Sequence, residues 1–188
     1  MNRLRFGARE IIATLAGCAL FVLTEWLEKY LIAQQVLPAE AYYWVQPRVL
    51  VITITAVFFG PLSGMFCGLA GDLLINTMFD PFVSYPEVIV LGFYGLVIGM
   101  YYGSIHYNSR QFTTKDFLDF NAVTVTVAIF CSMFFVPLSK FFTERSDIFN
   151  SITIGARSVV GNSILIGIVV PMIMAVVSSV KRARRRRV

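Results

Sequence analysis

The stretch VLVITITAVFFGPLSGMFCGLAGDLLINTM, residues 49–78, is a continuous apolar run that decides how this chain folds. A transmembrane helix needs about 20 apolar residues, so the run is either one long helix or two helices in a tight hairpin. Gly60-Pro61 lies near its centre, and proline both removes an amide donor and disfavours helix at the residue before it. The sequence therefore predicts two helices, over about 44–59 and 61–78.

Four further apolar stretches lie outside this hairpin, at about 10–32, 87–105, 121–142 and 151–178. Each approaches the length that crosses ~30 Å of hydrocarbon. With the hairpin, they predict one all-α integral membrane domain over residues 1–188, a bundle of six transmembrane helices. The composition agrees, because 57% of the 188 residues are hydrophobic, 14% are charged and the mean hydropathy is +0.72. A water-soluble globule is excluded.

The charges predict the orientation of this bundle. There are 16 basic and 11 acidic residues, a net charge of +5, and the basic ones lie at the ends of the apolar runs. With the N-terminus inside, the inner segments hold Arg3, Arg5, Arg9, Arg110, Lys115, Lys181, Arg182, Arg184, Arg185, Arg186 and Arg187, and the outer loops hold only Lys29, Arg48, Lys140 and Arg145. Cytoplasmic loops carry such an excess. Both termini are therefore predicted to be cytoplasmic, in a bacterial plasma membrane, and no nucleic-acid partner is expected. An alternative role for the basic tail is contact with anionic headgroups.

The N-terminal region also resembles a lipoprotein signal, because Leu15-Ala16-Gly17-Cys18 follows three arginines. Glu10 interrupts the apolar run before it, and the run continues through residues 20–23, where a lipoprotein would turn polar. We therefore predict a first membrane helix. The cysteines, Cys18, Cys67 and Cys131, all lie within apolar stretches and are interpreted as packing residues.

Sequence signals for catalysis or metal binding are missing. The chain has no GxxxxGK[ST] phosphate loop, and its single histidine, His106, has no second His or Cys nearby. Ser63, in the turn after Gly60-Pro61, has no histidine at its depth to activate it. We therefore expect no catalytic residue, no metal ligand, no cofactor of its own and no ATP hydrolysis by this chain.

Small residues recur at helical spacing in three of the predicted spans. They are Gly60, Gly64, Gly68 and Gly71 in the third, Gly92, Gly95, Gly99 and Gly103 in the fourth, and Ala13, Ala16, Gly17 and Ala19 in the first. In lipid, small residues let helix backbones approach closely. We expect the two glycine ridges to meet partner helices. For the first span, both packing within the bundle and docking on another membrane protein are open.

A few polar residues lie within the apolar mass, where ionisable groups are costly and usually face the bundle interior or a wet cavity. They are Glu25, Arg48, Asp72, Asn76, Arg157 and Asn162, all in the predicted outer half of the membrane. Asp72 shares a broad helix face with Gly68 and Asn76, so it is expected to point inward. Its alternatives are a buried ion pair with Arg157 or Arg48, or a bond to a helix end. Glu25 has the alternative of reaching the outer interface.

Aromatic residues flank this polar group in the predicted outer loops. Tyr42-Tyr43-Trp44 precedes Gln46-Pro47-Arg48, and Tyr85 lies in the loop before the fourth span. An aromatic belt at headgroup level explains each residue singly. Together with the polar residues, they predict a small-molecule site that opens outward. The candidate substrate-binding residues are Tyr42, Tyr43, Trp44, Arg48, Asp72, Asn76, Tyr85, Arg157 and Asn162.

Residues 46–74 carry a family resemblance. The run from Gln46-Pro47-Arg48 through Phe59-Gly60-Pro61 to Gly71-Asp72 resembles the FGPxxGxxxGxxGD pattern of several substrate-binding S components of energy-coupling factor (ECF) vitamin transporters. The small face of the first span is similar to the AxxxA docking motif of that family, with Ala13 and Gly17 at the matching spacing. The resemblance extends over the whole chain and implies a six-helix protein with both termini in the cytoplasm.

The resemblance also implies partners and a substrate. S components capture a vitamin from outside, and then join a transmembrane coupling subunit and two cytoplasmic ATPases. Ala13, Ala16 and Gly17 would provide the docking face. The subgroup most similar to this chain includes flavin and cobalamin transporters, so cobalamin is the predicted ligand and riboflavin, or another vitamin, is the alternative. A different class, a six-span scaffold of the rod-shape-determining type, would bind proteins and no solute.

Overall fold

The computed structural model describes residues 7–38, 40, 43–79, 84–104, 113–144 and 147–185. Within these ranges the chain is helical and contains no β-strand. In chain order the helices are α1 (Ala8–Ala33), α2 (Pro47–Phe59), α3 (Pro61–Phe79), α4 (Tyr85–Ser104), α5 (Thr114–Ile129), α6 (Val136–Glu144) and α7 (Ile148–Arg185), with the π-helical segment Phe130–Phe135 between α5 and α6. The predicted all-α fold is confirmed.

Five helical stretches of the described residues are long and apolar enough to cross a membrane. They are Ala8–Ala33, Pro61–Phe79, Tyr85–Tyr102, Thr114–Leu138 and Ile148–Val180. The remaining predicted span, over about 44–59, is shorter than expected, because its helix α2 has 13 residues. A helix of that length extends for only about 20 Å.

The hairpin between α2 and α3 is present where the sequence predicts it. α2 ends at Phe59, α3 begins at Pro61, and Gly60 between them has φ +101°. Such a positive φ favours glycine, since a side chain would be strained there. Proline fits the first position of a helix, where no amide donor is needed.

The long helical stretch from α5 to α6 begins earlier than the predicted residue 121. Thr113 and Asp116 form a capping box: the Thr113 hydroxyl accepts the amide of Asp116 at 3.3 Å, and the Asp116 carboxylate accepts the amide of Thr113 at 2.8 Å. This reciprocal pair satisfies two amides at the helix start. The helix therefore begins at Thr114, in a polar stretch that hydropathy alone does not include.

The π-helical segment has a cause in the sequence. Pro137 has no amide hydrogen, and in a regular helix its ring would clash with the carbonyl group four residues earlier. The helix is wider immediately before it, and the amide of Val136 bonds to the carbonyl oxygen of Cys131, five residues back. This widening lets the helix continue past the proline without a sharp break.

The helices pack as two groups. α2 and α3 contact each other and both contact α1 and α4, and α5, the π-helical segment, α6 and α7 form a second group. α2 and α4 are the helices of the first group that contact the second, with α2 against α7 and α4 against α5 and α6. A space between α2 and α4 on one side and α5–α7 on the other is thereby enclosed.

Glycines fix the close approach of α3 and α4. A Cβ atom at Gly68 would lie 2.5 Å from the carbonyl oxygen of Leu91, and one at Gly95 would clash with the carbonyl oxygen of Gly64. The two glycine ridges therefore meet each other. Gly99 belongs to the same contact, since its Cβ would lie against the backbone of Pro61.

We expect Gly95→Leu to destabilise the bundle, because the added side chain would clash with backbone atoms of α3. Backbone atoms cannot move aside by a change of rotamer, as a side chain can. Overpacking of this kind costs about 1–3 kcal/mol or more. A lower midpoint of thermal unfolding in detergent checks the effect. Ala122→Leu is the matched control, since Ala122 is exposed on α5. Equal midpoints for the two variants would contradict the described α3–α4 packing.

Candidate functional site

A buried group of charges joins α1, α2 and α3. We call it the carboxylate cluster: Glu25 and Glu28 of α1, Asp72 of α3, and the Arg48 guanidinium of α2 among them. Arg48 Nη1 lies 3.0 Å from Asp72 Oδ1, and its Nε lies 3.7 Å from Glu25 Oε2. Glu25 and Asp72 are 0% exposed and Arg48 is 6% exposed. A buried carboxylate is tolerated only when it is paired or hydrogen-bonded, so Arg48 holds this cluster together.

Asn76 completes the environment of Asp72. Its side-chain amide donates to Asp72 Oδ2 at 3.2 Å and to the Asp72 carbonyl oxygen at 2.8 Å, one turn earlier in α3. Its own oxygen accepts the amide of Ser84 at 3.4 Å. Asn76 thus fixes the Asp72 carboxylate and ties the end of α3 to the start of α4. It contacts the cluster and does not line the cavity described next.

A cavity of about 350 Å³ lies between the two helix groups. The segment before α2, together with α2, α4, α5, the π-helical segment, α6 and α7, supplies its walls. The lining residues are Tyr43, Gln46, Arg48, Val49, Glu87, Val90, Leu91, Tyr94, Thr124, Ala128, Cys131, Ser132, Val136, Lys140, Ser151, Ile154, Gly155, Ser158, Val159, Asn162, Ser163 and Ile166. Its volume is within the range of about 300–1,000 Å³ that is typical of small-molecule sites.

An ion pair marks one end of the cavity, which we call the mouth. Glu87, near the start of α4, forms an ion pair with Lys140 of α6, and both are partly exposed. Arg48 lies at the start of α2 and belongs to both the cavity and the carboxylate cluster. The ion pair links the two helix groups across the mouth.

The segment before α2 is held against α7 more than three turns after the start of that helix. Asn162 accepts the backbone amide of Gln46 at 2.8 Å and donates to the Ser158 hydroxyl at 2.9 Å. A Cβ atom at Gly161 would clash with the carbonyl oxygen of Trp44. Glycine is therefore required here, since it lets residues 44–46 lie directly on the α7 backbone.

The predicted site residues divide into three groups. Tyr43, Arg48 and Asn162 line the cavity, and Asp72 and Asn76 are buried in the carboxylate cluster. Trp44 and Tyr85 are exposed outside the cavity wall. Tyr42 is outside the described residues.

Arg157 is not brought to the cavity or to Asp72. It is exposed on α7, two residues after Gly155, and two residues turn a helix by about 200°. Gly155, Ser158 and Asn162 face the cavity, so Arg157 faces away from it. The ion pair of Asp72 is therefore with Arg48, and the alternative pair with Arg157 is wrong.

Several cavity residues were missed in the sequence. Glu87 and Lys140 pair only because α4 and α6 are neighbours, which spacing within one helix cannot indicate. Ser151, Gly155 and Ser158 recur with Asn162 every three or four residues along α7, a pattern that could have been found. It was not distinctive, because small and polar residues also mediate helix packing in membranes.

The predicted docking residues of α1 differ in their exposure. Ala16 is exposed, Ala13 is half-buried and Gly17 is buried. A Cβ atom at Gly17 would lie 2.8 Å from Thr55 Oγ1 and 3.1 Å from Cys67 Sγ. Gly17 therefore packs α1 against α2 and α3, and only its neighbours are available to a partner.

In the part of the chain that the structure describes, no three or more His, Cys, Asp and Glu residues are grouped so that they could hold a metal ion.

Comparison with known proteins points to one family. The model of the family described as "ECF-type riboflavin transporter, S component" matches residues 6–179. A UPF0397 protein of Streptococcus agalactiae is 31% identical over 170 residues, with 84% of this chain and 88% of the relative covered. A UPF0397 protein of an Exiguobacterium species is 24% identical over 164 residues, with 87% and 86% covered. No solved structure matches the chain significantly.

Proposed function

Since this chain belongs to the ECF-type riboflavin transporter S component family, we propose that its cavity captures a vitamin from outside the cell. The protein is a multi-pass cell-membrane protein, and its family is one of transporter components and not of enzymes. The observation that carries the proposal is the cavity of about 350 Å³ between the two helix groups. The family match disfavours the non-transporting scaffold.

The proposed topology has six spans, with both termini in the cytoplasm. The short helix α2 provides the span that is missing from the five long ones. Residues 43–46 before it, which are held against α7, complete this crossing at the outer side. Two observations support this orientation: the basic residues concentrate on the segments that it places inside, and cytoplasmic loops carry such an excess. The mouth, with Glu87 and Lys140, then faces outward, where a solute arrives.

S components of ECF transporters work with a coupling subunit and ATPases. We propose the same partners here: one transmembrane coupling subunit and two cytoplasmic ATPases. The ATPases would supply the energy for transport, because this chain has no phosphate loop with which to bind ATP. The exposed residues of α1 around Ala16 are the proposed docking surface.

The substrate is proposed from the size of the cavity. A cavity volume near 350 Å³ suits a vitamin of flavin size. Cobalamin, the ligand predicted from the sequence, is several times larger, and neither the family match nor the volume supports it. A corrinoid would bind with most of its ring outside the mouth, whereas riboflavin would be largely enclosed. The volume thus favours the riboflavin alternative.

We expect the purified protein to retain one of these vitamins at micromolar or lower concentration. The test is to add riboflavin or cyanocobalamin to the detergent-solubilised protein, remove free ligand by gel filtration and record the visible spectrum, since flavins and corrinoids absorb differently. Ser158→Trp should abolish retention because Ser158 lines the cavity, while Val160→Trp, on the exposed side of α7, should not. Retention of neither vitamin by the wild-type protein would refute the proposal for both.

A further inference from the structure

Two hydroxyl groups at the cavity wall have no hydrogen-bond partner among the described residues. They are Thr124 Oγ1 of α5 and Ser163 Oγ of α7, and both atoms are buried. Thr124 as a whole is 1% exposed. Buried hydroxyls are nearly always paired in native proteins, because an unpaired one loses its hydration without compensation. Each therefore calls for a specific explanation.

Other threonines of the bundle show how such a hydroxyl is usually satisfied. Thr53 and Thr126 donate to the carbonyl oxygen four residues earlier, at 2.8 and 2.7 Å. Thr124 lies on the same helix as Thr126 but makes no such bond, and its side chain lines the cavity. The helix itself thus leaves its hydroxyl available to whatever occupies the cavity.

Both hydroxyls lie well along their helices from the end of the cavity that carries Lys140 and Ser151. Along the continuous helix, Thr124 is about 24 Å from Lys140, and along α7 Ser163 is about 18 Å from Ser151, at ~1.5 Å per residue. α5 and α7 contact each other. Arg48 lies nearer to Ser163, because Gln46, two residues before it, bonds to Asn162, next to Ser163. The charge of Arg48 is already paired with Asp72 and Glu25, and Thr124 and Ser163 themselves carry no charge.

Apolar and aromatic side chains surround these hydroxyls. Ala128 and Ile166, one turn from Thr124 and Ser163 respectively, line the cavity, as does Tyr94. The Tyr94 hydroxyl is already bonded to Thr53 Oγ1 at 3.2 Å. A flat ring can pack against such walls, and only its edge needs hydrogen bonds.

We infer that Thr124 and Ser163 form a specificity-determining subsite for an uncharged carbonyl and N–H pair, the edge of an amide or imide, on the part of the substrate that lies against α5 and α7. A hydroxyl both donates and accepts, so one can donate to the carbonyl oxygen while the other accepts from the N–H. The charged or polyhydroxyl part of the substrate then faces Glu87 and Lys140 at the mouth. This inference rests on the proposed function. An imide edge of a flavin and a side-chain amide of a corrinoid share the chemistry.

The test compares Thr124→Val, Ser163→Ala and the double variant with Thr126→Val and Ser179→Ala. The control hydroxyls are exposed and bonded to their own helices. Dissociation constants are measured for riboflavin, by quenching of flavin fluorescence, and for cyanocobalamin, by absorbance after gel filtration. We expect each subsite variant to raise the constant about tenfold, the size of one lost hydrogen bond, for the vitamin that the wild-type protein retains.

A second readout separates contact with the substrate from a structural role. Removing an unpaired buried hydroxyl leaves the ligand-free protein as stable as before, so the midpoint of unfolding without ligand should not fall. With riboflavin as the ligand, a 3-methyl analogue lacks the imide N–H and should bind the wild-type protein more weakly than riboflavin does. It should still bind the wild-type protein at least as tightly as riboflavin binds the double variant.

Unchanged dissociation constants in both subsite variants, with binding by the wild-type protein intact, would overturn the subsite while the proposed function stands. A fall in the ligand-free midpoint that matches the loss of affinity would also overturn it. If the wild-type protein retains neither vitamin, the proposed function fails, and the inference fails with it.

Discussion

Arg48→Gln is expected to destabilise the bundle by about 3–5 kcal/mol, the cost of leaving buried charges without their partner. Arg48 lies between Asp72 of α3 and Glu25 of α1, at 3.0 and 3.7 Å. Without the guanidinium, Glu25, Glu28 and Asp72 would be buried carboxylates in an apolar surrounding. A midpoint of thermal unfolding in detergent that is lower by roughly 10 °C or more would report the effect. Vitamin retention should be lost with it, because Arg48 also lines the cavity.

The matched control for Arg48→Gln is Arg157→Gln, which removes the same charge from an exposed position on α7. It should leave both the midpoint and vitamin retention unchanged. A double variant, Arg48→Gln with Asp72→Asn, should recover part of the lost stability, since it removes one of the uncompensated carboxylates. Equal midpoints for Arg48→Gln and the wild-type protein would mean that the carboxylate cluster does not depend on its arginine.

Residues that obey local rules were predicted well from the sequence. The hairpin follows from Gly60-Pro61, because the proline ring and the positive φ of the glycine act within two residues. The glycine ridges follow from a spacing of four, and Asp72 points inward because it shares their helix. In each of these, the deciding interaction lies on one helix or in one turn.

Residues whose role depends on helix rotation and on neighbouring helices were not predicted. Arg157 and Arg48 are both arginines in the predicted outer half of the membrane, and only the rotation of α7 turns Arg157 away from the bundle. Glu87 and Lys140 pair because α4 lies beside α6, an adjacency that hydropathy does not encode. Thr124 and Thr126 lie two residues apart in α5, and nothing in the sequence marks the Thr124 hydroxyl as the one without a backbone partner.

Arg48 links the two halves of the site. Its guanidinium contacts α1 and α3 through the carboxylate cluster, and its side chain lines the cavity on α2. α1 and α3 themselves contribute no residue to the cavity wall as described. A ligand that engages Arg48 therefore competes with, or reinforces, contacts that hold α1 and α3 in place. Loss of Arg48 is accordingly expected to affect binding and stability together.

Ala16→Trp is expected to reduce co-purification with a coupling subunit at least about tenfold, the effect of losing about 1.4 kcal/mol of interface, while vitamin retention stays intact. Ala16 is exposed on α1, and a small residue at a helix interface in lipid permits close approach that an indole ring prevents. Ile164→Trp, at an exposed position of α7, is the matched control and should leave the complex unchanged.

Gly17→Leu should behave differently from Ala16→Trp, although the two positions are adjacent. Its side chain would meet Thr55 and Cys67 inside the bundle, so stability, vitamin retention and assembly should all fall. The contrast distinguishes packing from docking, because a docking residue affects assembly alone. If Gly17→Leu impaired only assembly, Gly17 would belong to the partner surface after all, and the described packing of α1 on α2 and α3 would be wrong. If Ala16→Trp left assembly unchanged, the exposed side of α1 would face lipid, and the coupling subunit would have to bind another surface.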